Sequence, residues 1–295
     1  MGGGSGRVEL ALDARADVAE SPVWDAERGQ LIWVDIPKGL IHRLRPNSDH
    51  DVSVDAGQSV GAAVPAASGD LVLAARDGFM LLDEATGRVT TIAEVEVDEP
   101  HMRMNDGRCD SQGRFWAGTM ELDGLRPVGS LYRLDPDGTV VRVLTGCTIS
   151  NGLAWSLDDT TMYYIDSPTH GIDTFSFDAD TSALSERRQL TGFPPEWGLP
   201  DGMTIDERGF LWVAFWGGGT VRSFDPDGCL SAVIELPVSL VTSCAFGGDD
   251  LRDLFITSAR VGLSAEEVKT QPHAGSVFRV QPGVAGVVTP RFGAP

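Results

Sequence analysis

Asn151-Gly152-Leu153-Ala154-Trp155, a polar turn at Asp158-Asp159, and Met162-Tyr163-Tyr164-Ile165 make one copy of a pattern that recurs along the chain. An apolar pair runs into an acidic or polar turn, and the turn into a strand rich in Leu, Trp, Tyr or Phe. Working outward, the same order appears at Asp110, Gly113 and Phe115-Trp116-Ala117-Gly118, and at Thr204-Ile205-Asp206, Gly209 and Leu211-Trp212-Val213-Ala214. It appears again at Val23-Trp24-Asp25, Gly29 and Leu31-Ile32-Trp33-Val34, and at Cys244-Ala245-Phe246, Gly247-Gly248 and Leu254-Phe255-Ile256-Thr257. A weaker copy is Ala62-Ala63-Val64, Ser68-Gly69-Asp70 and Leu71-Val72-Leu73. The spacing is roughly 40–50 residues, the period of propeller blades.

Two further strand-like runs follow each copy. Gly129-Ser130-Leu131-Tyr132-Arg133-Leu134 passes through Asp135-Pro136-Asp137-Gly138 into Thr139-Val140-Val141-Arg142-Val143. Val221-Arg222-Ser223-Phe224 passes through Asp225-Pro226-Asp227-Gly228 into another strand. Asp-Gly between alternating runs is a hairpin signal. Helical patterning is scarce, with one short candidate at residues 264–269. A sandwich or two stacked barrels would also be all-β, but neither accounts for the fixed period. The expectation is therefore a single six-bladed β-propeller over residues 7–295, with the Met-Gly-Gly-Gly-Ser-Gly opening (residues 1–6) as a flexible leader.

Composition narrows the function. Of 295 residues, 43 are acidic and 23 basic, for a net charge of −20. Nucleic acid and anionic membrane surfaces would be repelled, so neither is expected as a partner. No run of about 18 apolar residues is present and no apolar signal core precedes the repeats, which leads to a cytoplasmic expectation. Cys109, Cys147, Cys229 and Cys244 show no CxxC spacing and are expected to be reduced core thiols. His42, His50, His101, His170 and His273 are scattered, which argues against a zinc site.

The repeat also supplies a site. The innermost strand of each propeller blade runs along the central channel, so residues equivalent in phase converge on one axis at one height. Three positions before the apolar pair stand Glu20, Asn105, Asn151 and Asp201; the weak copy has Gly61 there and the last copy Val241. Singly, Asn-Gly and Asp-Gly are turn formers. Four oxygen donors in one phase are not explained by independent turns. Two carboxylates and two amide oxygens suit one hard divalent cation, with Ca²⁺ the default. Arg103 lies two residues before Asn105, on the same face of an extended segment. An arginine beside a cation site suggests an anionic or polyhydroxylated ligand bridging the two.

At these residues the chain resembles the SMP-30/gluconolactonase/regucalcin family of calcium-type sugar lactonases. The resemblance is carried by Ala19-Glu20-Ser21-Pro22-Val23-Trp24, Val34-Asp35-Ile36-Pro37, Arg103-Met104-Asn105-Asp106-Gly107, Trp116-Ala117-Gly118-Thr119-Met120, Ile149-Ser150-Asn151-Gly152-Leu153, Tyr163-Tyr164-Ile165-Asp166-Ser167, Pro200-Asp201-Gly202-Met203 and Thr242-Ser243-Cys244-Ala245-Phe246-Gly247-Gly248. It implies a metal at the top of the central channel, with Glu20, Asn151 and Asp201 as direct ligands. Zn²⁺, Mn²⁺, Mg²⁺ and Fe²⁺ are the alternatives to Ca²⁺. It implies Arg103 and Asn105 as substrate contacts, together with an acidic residue after Gly-Thr-Met, for which Glu121 is preferred over Asp123. The implied reaction is hydrolysis of aldono-lactones to aldonic acids, the metal polarising the carbonyl and Asp201 serving as general base. No Gly-x-Ser-x-Gly elbow is present, which disfavours a serine-hydrolase route. An organophosphate-hydrolysing propeller and a non-catalytic calcium- or sugar-binding propeller are the competing expectations.

Overall fold

The computed structural model describes residues 6–46 and 50–294. Among these, 24 strands form six four-stranded antiparallel sheets arranged as the blades of a propeller. The inner strands are Ala19–Asp25, Val60–Pro65, Met102–Cys109, Ser150–Trp155, Leu199–Ile205 and Val241–Gly247, which define blades 1 to 6 in that order. Each inner strand packs against the inner strands of its two neighbours, and blade 6 closes on blade 1. The Asp-Pro-Asp-Gly segments are hairpin turns: Gly138 N–H donates to Asp135 O and Gly228 N–H to Asp225 O, both at 2.9 Å.

Burial falls from axis to rim. Ala19–Asp25 is buried at every position, whereas the outermost strand of the same blade, His50–Asp55, is largely exposed. This follows from sheets that sandwich their inner strands between two neighbours and leave one edge wet. Charged residues such as Glu186, Arg187 and Arg188 on the outermost strand Leu184–Gly192 blunt such an edge. Aromatic pairs fill the gaps between blades: Trp24 stacks on Phe255 at 5.8 Å, and Trp116 meets Trp155 edge-on at 5.9 Å.

Blade 6 departs from the repeat. Its second and third strands are Asp253–Ser258 and Val277–Val280, and its outermost strand is the N-terminal Glu9–Leu12, paired to Val277–Val280. The helix Ala265–Thr270 interrupts the blade, with Ser264 and Glu267 forming a capping box. Residues 1–5 of the expected leader lie outside the described residues; Gly6 N–H donates to Gln281 O at 3.0 Å. The cysteine expectation needs one correction: all four are free thiols, but Cys229 is exposed because it follows the hairpin turn at Gly228 on the blade surface. No helix among the described residues is long and apolar enough to cross a membrane.

After the last strand the chain crosses the end of the channel where the inner strands finish. Glu207 N–H donates to Ala285 O at 2.9 Å and Gly286 N–H to Leu251 O at 2.8 Å, on blades 5 and 6. Phe292 N–H then donates to Pro65 O at 2.8 Å and Gly293 N–H to Gly113 O at 2.9 Å, on blades 2 and 3. This strap makes the lower end of the channel; the upper end is where the inner strands begin.

Candidate active site

Every inner strand carries a register shift at the height where the sequence phase places its oxygen donor. The shifts fall between Glu20 and Val23, Val60 and Ala62, Met104 and Gly107, Ser150 and Leu153, Pro200 and Met203, and Val241 and Ser243. A bulge re-aims side chains locally. Glu20 borders one such shift, and Asn105, Asn151 and Asp201 lie within theirs. The Asn-Gly and Asp-Gly pairs are therefore strand residues, not turns. Their glycines serve close approach. A Cβ on Gly152 would lie 2.7 Å from Asp201 O, and one on Gly202 would lie 2.0 Å from Ser243 Oγ. Only a residue without a side chain lets neighbouring inner strands come this near.

Two matched anchors fix the segments that lead into the site. The carboxylate of Asp35 accepts from Asp17 N–H and Val18 N–H, both at 3.2 Å. Asp166 does the same for Thr148 N–H at 2.9 Å and Ile149 N–H at 2.8 Å. In this way the ends of the second strands of blades 1 and 4 hold the entries to Glu20 and Asn151. Beside Glu20, Ser21 adopts φ 45°, and its N–H donates to the Glu20 carboxylate.

Glu20, Arg103, Asn105, Asn151 and Asp201 line one cavity of about 220 Å³ at the upper end, with Ser167 beside them. Arg103 Nη1 donates to Asn105 Oδ1 at 2.7 Å and to Met104 O at 3.0 Å. Asn105 Nδ2 donates to Asn151 Oδ1 and to Ser150 O, both at 2.9 Å. Asn151 Nδ2 donates to Ser167 Oγ at 2.8 Å. This chain of donors fixes both amides, so that Asn151 presents its oxygen alongside the two carboxylates. The upper walls are apolar, from Ile36, Met120, Ile149, Leu199, Trp216 and Val261.

The electrostatics are those of a site short of positive charge. Glu20 is 4% exposed and Asp201 7%, and neither forms an ion pair among the described residues. Burial, then the charge of Asp106, pushes the Glu20 carboxyl up to about 8. Burial, then the charge of Glu20, holds Asp201 well above the usual carboxylate range. Burial lowers the Arg103 guanidinium to about 10, against the opposing pull of Glu20 and Asp201. Asp106 is raised by burial as well. Ser21 Oγ lies 2.8 Å from both Gly61 O and Asp106 Oδ1. A hydroxyl has one proton, which these two acceptors share, and Asp106 Oδ1 also accepts from Gly107 N–H at 2.8 Å.

Glu121 is placed apart from this group. It follows Met120 on the second strand of blade 3, but its carboxylate accepts from Arg126 Nε at 2.9 and 3.0 Å and it does not line the cavity. Asp123 is exposed and caps Leu125 N–H at 3.1 Å. Sequence reasoning passed over Ser21, Asp106 and Ser167. Ser21 and Asp106 directly follow Glu20 and Asn105 at bulges, which leave no mark in the alternation, and Ser167 opens a single 3-10 turn after the second strand of blade 4.

The donor set suits a divalent cation. Among the described residues no group of three or more Asp, Glu, His and Cys side chains could hold a metal. What the cavity offers is two carboxylates and amide oxygen, an all-oxygen set for a hard ion. Two buried carboxylates without an ion-pair partner are what such an ion would neutralise.

With this geometry in place, comparison with known proteins assigns the class. A profile of the SMP-30/Gluconolactonase/LRE-like region matches residues 18–260, and the chain belongs to this family. It is 40% identical to "Regucalcin" of Danio rerio over 285 residues, 95% of this chain and 96% of that one. It is 38% identical to "Putative sugar lactone lactonase YvrE" of Bacillus subtilis, over 92% of this chain and 94% of that one. The crystal structure of a calcium-binding protein, regucalcin, from Agrobacterium tumefaciens superposes with a TM-score of 0.94 at 29% identity, covering 97% of each chain.

Proposed function

We propose that this protein hydrolyses lactones of the aldono-lactone class to the corresponding hydroxy acids, using one divalent cation held by Glu20, Asn151 and Asp201. The observation that carries this is the pair of buried carboxylates lacking an ion-pair partner, sharing a cavity with an ordered amide oxygen and an arginine. The name of the Bacillus relative supports the lactone, and the calcium-binding Agrobacterium protein supports the ion. Calcium is the first ion to test, since the donors are all oxygen. When bound, the ion supplies Lewis acidity toward the ester carbonyl.

The chain's own groups do the rest. The Asp201 carboxylate, which lines the cavity, takes a proton from the attacking water as general base. Arg103 has Nη1 committed to Asn105 and Met104, which leaves its remaining donors for substrate hydroxyls or ring oxygen. Asn105 holds Arg103 and Asn151 in register. The apolar upper wall receives the C–H face of the ring and thins the water around it. Glu121 would contribute only after release from Arg126. The partner is thus a small molecule, and no macromolecule is needed at this site.

The test is a pH-indicator assay across aldono-1,4- and 1,5-lactones, with and without EDTA. Turnover that EDTA abolishes and calcium restores is expected. Bound divalent ion without lactone turnover would move the assignment to organophosphate hydrolysis or to binding alone.

A further inference from the structure

A second cavity, of about 250 Å³, lies at the lower end of the channel. It opens where the inner strands of blades 3, 4 and 5 finish, and the C-terminal strap closes one side through Val287, Val288 and Pro290. Arg108 lines it. This residue is three positions beyond Asn105 on the same inner strand, about 10 Å further along the channel. Arg108 is only 8% exposed, yet its guanidinium makes no hydrogen bond or ion pair among the described residues. None of its side-chain nitrogens is fully sealed. Asp106 feels its charge but is not ion-paired with it. A buried arginine is costly unless its donors are met.

Trp155 and Ser111 line the same space, but Trp155 Nε1 and Ser111 Oγ are themselves sealed from it, which leaves Arg108 as the donor open to a ligand. The remaining surface is largely hydrocarbon, from Leu157, Ile205 and the strap. One unpaired cation calls for one negative charge. The flat fork of a guanidinium matches a carboxylate in two hydrogen bonds. A phosphate dianion would press surplus charge and oxygens against apolar walls, and Asp159 on the same lining, which opposes any anion, opposes a dianion more strongly than a monoanion.

We propose that this lower cavity is a binding site for a small monocarboxylate with a short apolar body, the carboxylate on Arg108 and the hydrocarbon against Leu157 and the strap. The site is separate from the upper one and does not depend on what the upper one catalyses.

Calorimetric titration of the whole protein with butyrate, butyramide and inorganic phosphate tests this, each in EDTA and again in calcium. Butyrate should bind saturably at one per chain in both buffers, at least about 10-fold tighter than butyramide or phosphate, the scale of a charge-assisted hydrogen bond. Arg108→Met should weaken butyrate at least about 10-fold, and Arg108→Lys less than that. Leu157→Asp, at a 53% exposed position where folding is not at stake, should weaken it several-fold by adding a charge at the apolar wall. The proposal is overturned by any of these results: no saturable butyrate binding, butyramide or phosphate binding as well as butyrate, or affinity unmoved in Leu157→Asp and Arg108→Met. It is also overturned if EDTA abolishes binding, because the carboxylate would then sit on the cation at the upper end.

Discussion

Replacing Glu20 by Gln should strengthen the metal-free protein and weaken the metal-bound one. In the folded chain burial raises this carboxyl to about 8, while an unfolded chain releases the proton near the ordinary 4.5. Between those two values the folded state holds a proton that the unfolded state has lost. Stability without metal therefore falls as pH rises through this window, and the loss is complete above about 8. The gap between those two values sets a ceiling on the order of 4–5 kcal/mol. Water entry and side-chain movement reduce it, so about 1–3 kcal/mol is expected. Glutamine has the same shape and carries no charge to bury. For a chain of this size each kcal/mol moves the midpoint by about 2 °C, so near pH 9 in EDTA the variant should melt about 2–6 °C above wild type. Below about pH 4 the two should coincide, since the carboxyl is then protonated in both states. Calcium should reverse the order, since the ion meets one charge fewer in the variant. Scanning calorimetry across this pH range, in EDTA and in calcium, reads all of it. Parallel pH profiles for the two proteins in EDTA would refute the argument.

Three further outcomes follow from the same geometry. Asp201→Asn should fold normally in excess calcium and lose at least about 100-fold in kcat, as a missing general base costs 10²–10⁴-fold; full turnover in the metal-loaded variant would remove Asp201 from that role. Arg103→Ala should lower kcat/KM for hydroxylated lactones about 10-fold or more with little change in melting temperature, the loss of a charge-assisted bond of about 1.5–3 kcal/mol; unchanged kinetics on every lactone would exclude a substrate contact. Gly152→Ala should destabilise by about 1–3 kcal/mol, because its methyl meets the Asp201 carbonyl at 2.7 Å and the strands must part; a melting temperature equal to wild type would show that the blades have slack there.

The propeller was legible because each blade restates the same pattern, and six restatements outweigh the ambiguity of any one. Phase alone brought Glu20, Asn105, Asn151 and Asp201 to one height, and the structure collects all four around one cavity. Two features were illegible for physical reasons. Glu121 is the nearest acid after Thr119-Met120, but the later Arg126 captures it, and a contact across a loop has no periodic signature. The Glu9–Leu12 strand lies before the first copy and completes the last one, a pairing that no local pattern encodes. Arg108 went unremarked for a related reason. Its spacing from Asn105 is that of an ordinary strand residue, and only the strap arriving from the far end of the chain gives it an enclosure.

The join between Glu9–Leu12 and Val277–Val280 gives this protein a timetable. During synthesis the first strand emerges with no partner, and it waits until nearly the whole chain has left the ribosome. For that interval Ala19–Asp25 also lacks its neighbour from blade 6, and the apolar face where Trp24 meets Phe255 stays open. Closure is then a single late event that joins the two ends of the ring, and such non-local pairings are slow to form. Incomplete rings would be the species that chaperones meet. Shortening the chain before Ala19 would leave the strand Val277–Val280 as a bare edge, ready to recruit the first strand of another copy.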